Sequence, residues 1–253
     1  MPGRRVGYVS YAAHLQLLEI PWHLGGDLTP EEARAIARSV KEFQAGESSE
    51  GRHLIRNARR YAERSGDHEY VAAIRLFIAE EQRHARDLAR VLTSNGIPLV
   101  RTTLTDRVFR WLRGLGSSLE VSIAVLITAE IIAEVYYAAL REATRSRVLR
   151  RLCDQILQDE VEHVRFQAEH LARLRRARRS GARAATMAMQ RLLFLGTIGV
   201  VWVFHSSVLR RAELGWKDWW KSCWRTFERA FATPTGSPRT AGRSPATRLL
   251  AIK

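Results

Sequence analysis

The chain has 253 residues, a length typical of one large domain or two small ones. Hydrophobic residues make up 46% and charged residues 26%, which excludes a disordered, collagen-like or disulfide-stapled chain. Lysine and arginine together number 41 against 26 acidic residues, giving a net charge of +15. We interpret this excess, which is mostly arginine, as charge spread over solvated helix faces, and we do not expect nucleic acid as a partner.

The N-terminal segment and the cysteines indicate a cytoplasmic protein. The segment begins with a basic Arg4-Arg5 pair, but His14 and Glu19 interrupt the residues that follow, so no secretory apolar core forms. The two cysteines, Cys153 and Cys223, lie far apart in sequence and form no CxxC pair. Two isolated thiols without a disulfide framework are typical of a reducing compartment.

Helical periodicity dominates the whole chain, and the sequence predicts an all-α fold. The first helix begins at the capping signal Thr29-Pro30-Glu31-Glu32 and continues to Ser65-Gly66. The second runs from Asp67 to Asn95-Gly96, where Pro98 follows. Residues 97–117 then form a long connection, with one short helix expected around Asp106–Leu112.

Two further helices follow this connection and meet at a break near residues 144–146. A basic stretch from Arg173 to Arg183 comes next, interpreted as a solvated helix end, and a fifth helical region spans about Ala185 to Ala232. We therefore divide the chain into four parts: an N-terminal extension (1–28), a four-helix bundle (29–178), a C-terminal helical extension (179–232) and a disordered basic tail (233–253).

Each of the four bundle helices carries a glutamate in the middle of its apolar stripe. These residues are Glu50, Glu81, Glu130 and Glu160. Burying one charged glutamate in a core costs several kcal/mol, so four such positions need a common cause. A pair of metal ions would supply one, because four carboxylates neutralise two divalent cations.

Three histidines follow a glutamate by three residues, which places both side chains on one helix face. These pairs are Glu50–His53, Glu81–His84 and Glu160–His163. Within each predicted hairpin the two stripe glutamates lie at about the same distance from the turn, roughly 21 Å at 1.5 Å per residue. The two glutamates of each hairpin are therefore expected to face each other.

This pattern resembles the ferritin-like di-iron carboxylate superfamily, including rubrerythrins and di-iron oxidases. The resemblance covers about residues 30–177 and depends on Glu50, Glu81-Gln82-Arg83-His84, Glu130 and Asp159-Glu160-Val161-Glu162-His163. It implies a ferritin-like four-helix bundle with one long crossover and additional C-terminal helices.

The resemblance also implies the ligands. Glu50, Glu81 and His84 would hold one metal ion, and Glu130, Glu160 and His163 the other, with Glu81 and Glu160 as bridges. The expected cofactor is two iron ions, with manganese or a mixed pair left open. The expected activity is a non-haem oxidoreductase that activates O2 or peroxide and takes electrons from an external donor. No rubredoxin-like cysteine pairs accompany the bundle.

Several further residues are candidates for supporting roles. Each ligand histidine should donate its second N–H to an acceptor, for which Asp159, Asp154 and Glu134 are candidates. Glu134 is also an alternative ligand or a proton relay. Glu47 is an alternative to Glu50 as the ligand on the first helix. His53 is a candidate for an extra ligand or a supporting histidine. The last candidates are the interior tyrosines Tyr61 and Tyr137.

Two alternatives to a soluble oxidase stay open. One is a non-enzymatic iron-binding protein for storage or detoxification. The other is a membrane-associated di-iron oxidase, similar to alternative oxidases, that contacts the bilayer through residues 192–224. This segment contains an apolar run (Leu192–Leu209) followed by a tryptophan cluster. We favour a helix packed on the bundle, with the tryptophans covering it, or a contact of a homodimer, because His205 and small polar residues interrupt the run.

Overall fold

The computed structural model describes residues 17–48, 51–100 and 118–232, and within these ranges it is all-helical, without strands. Seven α-helices are present in the described ranges: α1 (Pro30–Glu47), α2 (Arg52–Ser65), α3 (His68–Ser94), α4 (Leu119–Ala143), α5 (Arg147–Arg176), α6 (Ser180–Arg211) and α7 (Trp216–Phe231). The all-α prediction is confirmed. The short helix expected around Asp106–Leu112 and the tail from residue 233 lie outside the described residues.

The helices form a bundle around α4. Helices α1 and α2 pack against α3, α4 forms a hairpin with α5, and α3 packs against α5. Most residues of α4 are buried, because α2, α5, α6 and α7 all pack against it. Helix α6 lies over α1 and α4, and the C-terminal helices are therefore an integral part of the packed core.

The first predicted helix is not continuous, which corrects our expectation of one helix from residue 29 to 65. Helix α1 begins at the predicted capping box of Thr29 and Glu32 but ends at Glu47. The chain resumes at Gly51, whose φ of 61° is left-handed. A side chain there would clash with Ile78, since an added Cβ would lie 2.3 Å from its Cδ1. Only glycine fits this position, and the helix breaks here.

The fifth helical region consists of two helices. Helix α6 ends at Arg211, and Glu213 adopts a positive φ of 56° before Gly215 precedes α7. Trp219 in α7 is fully buried and donates its indole N–H to the Ile198 carbonyl at 3.2 Å. The turn therefore folds α7 back against α6 and the bundle.

Helices α4 and α6 are long and apolar enough to cross a membrane, judged by length and composition alone. The apolar window of α4 is 89% buried, as befits the central helix of a bundle, whereas that of α6 is 39% buried. One face of α6 packs on the bundle and the other carries exposed apolar side chains, including Met189, Leu192 and Val203.

The segment before α1 and the first turn of α1 are hydrogen-bonded to the turn between α4 and α5. The Asp27 carboxylate accepts hydrogen bonds from the Ser146 hydroxyl and from the Arg147 N–H at 2.7 Å, at the start of α5. Glu32 accepts a bond from the Arg145 N–H at 2.6 Å. These contacts fix the α4–α5 turn against the start of α1, and so set the level at which the glutamates of the two hairpins meet.

Candidate metal centre

Acidic and histidine side chains from four helices meet in the middle of the bundle. They are Glu47 of α1, Glu81 and His84 of α3, Glu130 of α4, and Glu160 and His163 of α5. They form two groups, and within each group one ligand atom per residue lies within 4.8 Å of all the others. One group is Glu81, Glu130, Glu160 and His163, and the other is Glu47, His84 and Glu160. Glu160 belongs to both groups and connects them.

The Glu-x-x-His spacing on α3 and α5 positions the two imidazoles. His84 Nδ1 lies 3.6 Å from Glu81 Oε1 on its own helix and 4.0 Å from Glu160 Oε1 across the bundle. His163 Nδ1 lies 3.3 Å from Glu81 Oε1 and 3.5 Å from Glu160 Oε2. Both histidines are fully buried. Each therefore directs its Nδ1 atom at the carboxylates in the centre.

A second pair of carboxylates contacts the outer nitrogens of these histidines. His84 Nε2 lies 2.9 Å from Asp159 Oδ2, and His163 Nε2 lies 3.2 Å from Glu80 Oε2. A carboxylate at Nε2 accepts a hydrogen bond from the ring N–H, so the proton stays on Nε2 and the Nδ1 lone pair faces inward. This is the tautomer that a metal ligand requires. Asp159 was a predicted acceptor, whereas Glu80 was missed.

The signal for Glu80 is present in the sequence. An acidic residue precedes the glutamate of each motif, as Glu80-Glu81 on α3 and Asp159-Glu160 on α5. In the structure each of these acids crosses to the histidine of the other helix. The extended pattern, acidic-Glu-x-x-His on two facing helices, is therefore more informative than Glu-x-x-His alone.

Further polar groups hold Asp159 in place. The Arg83 guanidinium donates to Asp159 at 2.5 Å, and the Gln155 amide donates to both of its oxygens at 3.1 Å. Burial raises the pKa of Asp159, but the contacts with His84 and Arg83 outweigh burial, so its pKa lies below the ordinary value. Asp159 is therefore ionised and is suited to accept a hydrogen bond from the His84 ring N–H.

The carboxyl groups in the centre of the cluster, in contrast, have pKa values that burial and neighbouring charges shift away from the ordinary value. Burial, followed by the charges of Glu47 and Glu130, raises the pKa of Glu81 well above its ordinary value. Burial and Glu130 likewise raise the pKa of Glu160. For Glu130, burial is outweighed by the influence of the neighbouring His163 and Glu160 side chains, and its pKa is lowered. The buried carboxyls of this cluster therefore cannot all be ionised at once in the metal-free protein.

We expect Asp159→Asn to weaken metal binding about 10- to 100-fold, the usual effect of removing a carboxylate behind a ligating histidine. The asparagine keeps the size of the side chain but can present its amide nitrogen to His84, which disfavours the required tautomer. Titration of the metal-free protein with Mn²⁺ or with Fe²⁺ under anaerobic conditions measures the change. Asp154→Asn, at a half-exposed position paired with Arg141, is the matched control and should leave affinity unchanged.

On the first predicted helix, the structure places Glu47 at the cluster, with Tyr137 of α4 beside it. Glu50, our preferred ligand on the first helix, lies outside the described residues, and its alternative Glu47 is the residue of α1 found in the cluster. The Tyr137 hydroxyl donates to Glu47 Oε1 at 2.8 Å. Burial, together with the charge of Glu47, raises the pKa of Tyr137 well above its usual value, so this phenol keeps its proton.

Two supporting roles are corrected. His53 is exposed and lies 2.8 Å from the Arg56 guanidinium, because α2 begins in a new register after the break at Gly51. It takes no part in the cluster. Glu134 is buried, but both of its oxygens bind the Arg229 guanidinium of α7, at 2.6 and 2.7 Å. Glu134 therefore anchors α7 and is neither a ligand nor the acceptor for a ligand histidine.

Tyr61, the other interior tyrosine predicted from the sequence, packs edge-on to Tyr70 and His170.

Comparison with known proteins adds no assignment: no protein-family profile matches the chain, and neither a curated protein nor a solved structure shows significant similarity to it. The site's own geometry is therefore the basis for a functional interpretation.

Proposed function

We propose that this protein is a ferritin-like di-iron carboxylate oxidoreductase that uses O2 or peroxide. The observation that carries the proposal is the position of Glu160, which belongs to both groups of side chains that could hold a metal ion. Its Oε1 lies 4.0 Å from His84 Nδ1, and its Oε2 lies 3.5 Å from His163 Nδ1. A carboxylate shared in this way is suited to bridge two cations. We assign Glu81, Glu130 and His163 to one ion and Glu47 and His84 to the other.

Unsatisfied buried atoms support the fit of metal ions to this site. Glu81 Oε1, His84 Nδ1 and both oxygens of Glu160 are buried and make no hydrogen bond within the described ranges. Leaving such atoms without a partner costs about 1–3 kcal/mol each, and more when charged. These atoms point toward one another, so two cations would satisfy them together. The four carboxylates would balance the charge of two divalent ions.

The chemistry of the donor set favours iron or manganese. Carboxylate oxygens and imidazole suit Fe and Mn, whereas zinc and copper sites are usually richer in histidine or cysteine. When bound, a pair of iron ions supplies redox chemistry toward O2 or peroxide. The protein's own residues fix the ligands: Asp159 and Glu80 orient the two imidazoles, and Tyr137 donates a hydrogen bond to Glu47. Phe77, edge-on to His163 at 4.7 Å between ring centroids, keeps water from its ring.

Oxygen consumption tests the proposed activity. Iron-loaded protein supplied with a chemical reductant should consume O2 over many turnovers, and Glu81→Ala should abolish turnover. Oxidation that stops after one equivalent of O2 for each iron pair, with the iron retained, would instead support storage or detoxification. Protein that binds iron but neither oxidises nor retains it would refute both functions.

Proton release on metal binding follows from the raised pKa values of Glu81 and Glu160. These carboxyls hold protons in the metal-free protein at a pH where exposed glutamates are ionised, and a metal ion must displace them. We expect calorimetric heats of Mn²⁺ binding to differ between buffers of different ionisation enthalpy, and the apparent affinity to rise with pH. Glu81→Gln should reduce the number of protons released. Heats that are the same in all buffers would contradict this prediction.

The same shifts fix the sign of the pH dependence of stability. A carboxyl whose pKa is raised on folding contributes stability below its unfolded value, and this contribution is lost as pH rises through the folded pKa. Glu81 and Glu160 should therefore destabilise the metal-free protein as pH rises from about 4.5. Bound metal removes this loss, so the difference in melting temperature between loaded and metal-free protein should widen with pH.

A further inference from the structure

A cavity of about 130 Å³ lies between α1, α4 and α6, next to the carboxylate cluster. Most of its wall is apolar. The apolar side chains are Phe43, Val125, Leu126, Ala129, Ile132, Ala133, Val200 and Val201. An apolar cavity with a few polar groups at defined positions is the usual form of a site for a small organic molecule.

One end of this cavity is the candidate metal centre itself. Glu47, Glu81 and Glu130, which come from three different helices, all contribute to its lining. The cavity also reaches the surface, since its lining residue Val200 of α6 is 42% exposed. A molecule entering beside Val200 would therefore extend from solvent to the carboxylates.

The size of the cavity limits what it can bind. An apolar cavity of about 150 Å³ holds one benzene molecule. The buried part of a ligand here is therefore about one six-membered ring or a chain of about six carbon atoms, and a longer molecule would project past Val200 into solvent.

Charge along the wall limits the ligand further. Besides the three cluster glutamates, the polar lining residues are Glu42, Thr197 and His205. The Thr197 hydroxyl donates to the Leu193 carbonyl at 2.8 Å. Burial and the charge of Arg38 lower the pKa of His205 to about 4, so its ring is neutral at physiological pH. The wall thus offers carboxylates but no cationic partner for an anionic ligand.

A hydrogen-bond network holds His205 in place against this wall. His205 Nδ1 lies 2.8 Å from the Ser39 hydroxyl, which lies 2.7 Å from the Tyr136 hydroxyl. Burial raises the pKa of Tyr136, so the phenol keeps its proton and can donate to Ser39, which in turn donates to Nδ1. His205 Nε2 then carries the ring proton and lies 3.7 Å from Glu42 Oε2. The ring therefore directs an N–H at Glu42, near the polar side of the cavity.

We propose that this cavity binds an uncharged apolar organic molecule, such as a short-chain alcohol or a single-ring aromatic, as the organic substrate of the adjacent centre. The apolar part would lie between Phe43, Ala133 and Val201, with one end at the cluster glutamates. A free carboxylate on the ligand would find no lysine or arginine among the lining residues and would lie in the same cavity as Glu42. The assignment as substrate rests on the proposed function, but binding itself does not require metal.

Binding of hexan-1-ol and hexanoate to metal-free protein tests this proposal, with calorimetry or ligand-detected NMR as the readout. We expect one hexan-1-ol per chain, and hexanoate at least about tenfold more weakly, because its charge would be buried in a largely apolar cavity without a cationic partner. Ala133→Leu should abolish binding by filling the cavity. Gly196→Leu is the matched control, since a side chain there projects from α6 into open space.

A second variant keeps the test informative if Ala133→Leu does not fold. Val201→Ala enlarges the cavity and should improve binding of octan-1-ol relative to hexan-1-ol by several-fold. The proposal is overturned if hexan-1-ol does not bind wild-type protein, if hexanoate binds equally well, or if Ala133→Leu binds as the control does. A further result would also overturn it: wild-type protein binds no alcohol, but Ala133→Leu slows the reaction with O2. The cavity would then be a path by which O2 reaches the centre and not a binding site for an organic molecule.

Failure of the proposed function would look different. Protein that binds hexan-1-ol in the expected manner but binds no metal would refute the metal centre while leaving the cavity as a binding site. Protein that binds two metal ions but no alcohol would refute the cavity assignment alone.

Discussion

Glu160→Ala is expected to lose both metal ions. Glu160 is fully buried and supplies an oxygen to each of the two groups of side chains, so its removal takes one ligand from both ions at once. We expect affinity for Mn²⁺ or Fe²⁺ to fall by at least about 100-fold, more than the loss of a carboxylate behind a ligand produces. Elemental analysis after dialysis should find less than one ion per chain.

Folding should survive this substitution. Burial raises the pKa of Glu160, so the metal-free protein already bears a cost for this side chain, and alanine removes it. Circular dichroism and the melting temperature of the metal-free variant should therefore match or exceed those of the wild type. Glu162→Ala is the matched control, because Glu162 lies two residues away on α5 and pairs with Arg165 at the surface. Equal metal loss in both variants would contradict the bridging assignment.

Trp219→Ala is expected to cause the largest loss of stability, about 3–5 kcal/mol. The indole is the largest fully buried side chain, and its N–H is bonded to the Ile198 carbonyl of α6. Replacing it leaves a cavity between α7, α6 and the bundle and removes the indole hydrogen bond that connects α7 to α6. The melting temperature should fall by roughly 10 °C for a domain of this size.

Trp216→Ala provides the comparison, since Trp216 is 41% exposed at the start of the same helix. We expect its cost to stay below about 1 kcal/mol, as for most surface substitutions. Chemical unfolding of both variants in aqueous buffer without detergent gives the two values. Equal and small losses would mean that α7 does not pack on the bundle in solution and that the tryptophans serve a different surface.

Local signals predicted much of this fold correctly. The capping box of Thr29 and Glu32, the turn at Ser146 and the amphipathic stripes of α3 and α5 are encoded within a few residues, so they can be read without knowing the tertiary structure. The two Glu-x-x-His pairs belong to this class, because residues three apart always share a helix face.

The errors arose where a helix had to be followed across an interruption. The sequence shows one amphipathic stripe through residues 29–65, and counting along it predicts a supporting role for His53, which the structure places at the surface. The same counting favours Glu50, which lies outside the described residues. Helix α2 begins after Gly51, whose φ of 61° is left-handed, and Ile78 of another helix occupies the space that a side chain at Gly51 would need. That contact is tertiary and cannot be predicted from the local sequence. In the structure His53 is exposed and Glu47 lies at the cluster.

Partners distant in sequence could not be predicted at all. Glu134 lies one turn beyond Glu130 on the same apolar stripe, yet it binds Arg229, 95 positions further along the chain. The Ser39–His205 contact spans 166 positions. Glu80 differs, because its place before Glu81 mirrors that of Asp159 before Glu160 and was open to recognition from sequence.

The most direct test of the central claim is an anomalous-difference map from crystals of protein loaded anaerobically with iron. The claim is that buried carboxylates occupy the bundle because two cations bind between them. It predicts two peaks, about 3.5–4 Å apart, surrounded by Glu47, Glu81, Glu130 and Glu160. A well-folded, iron-treated protein with no peak at these residues, or with iron only at surface sites, would contradict it.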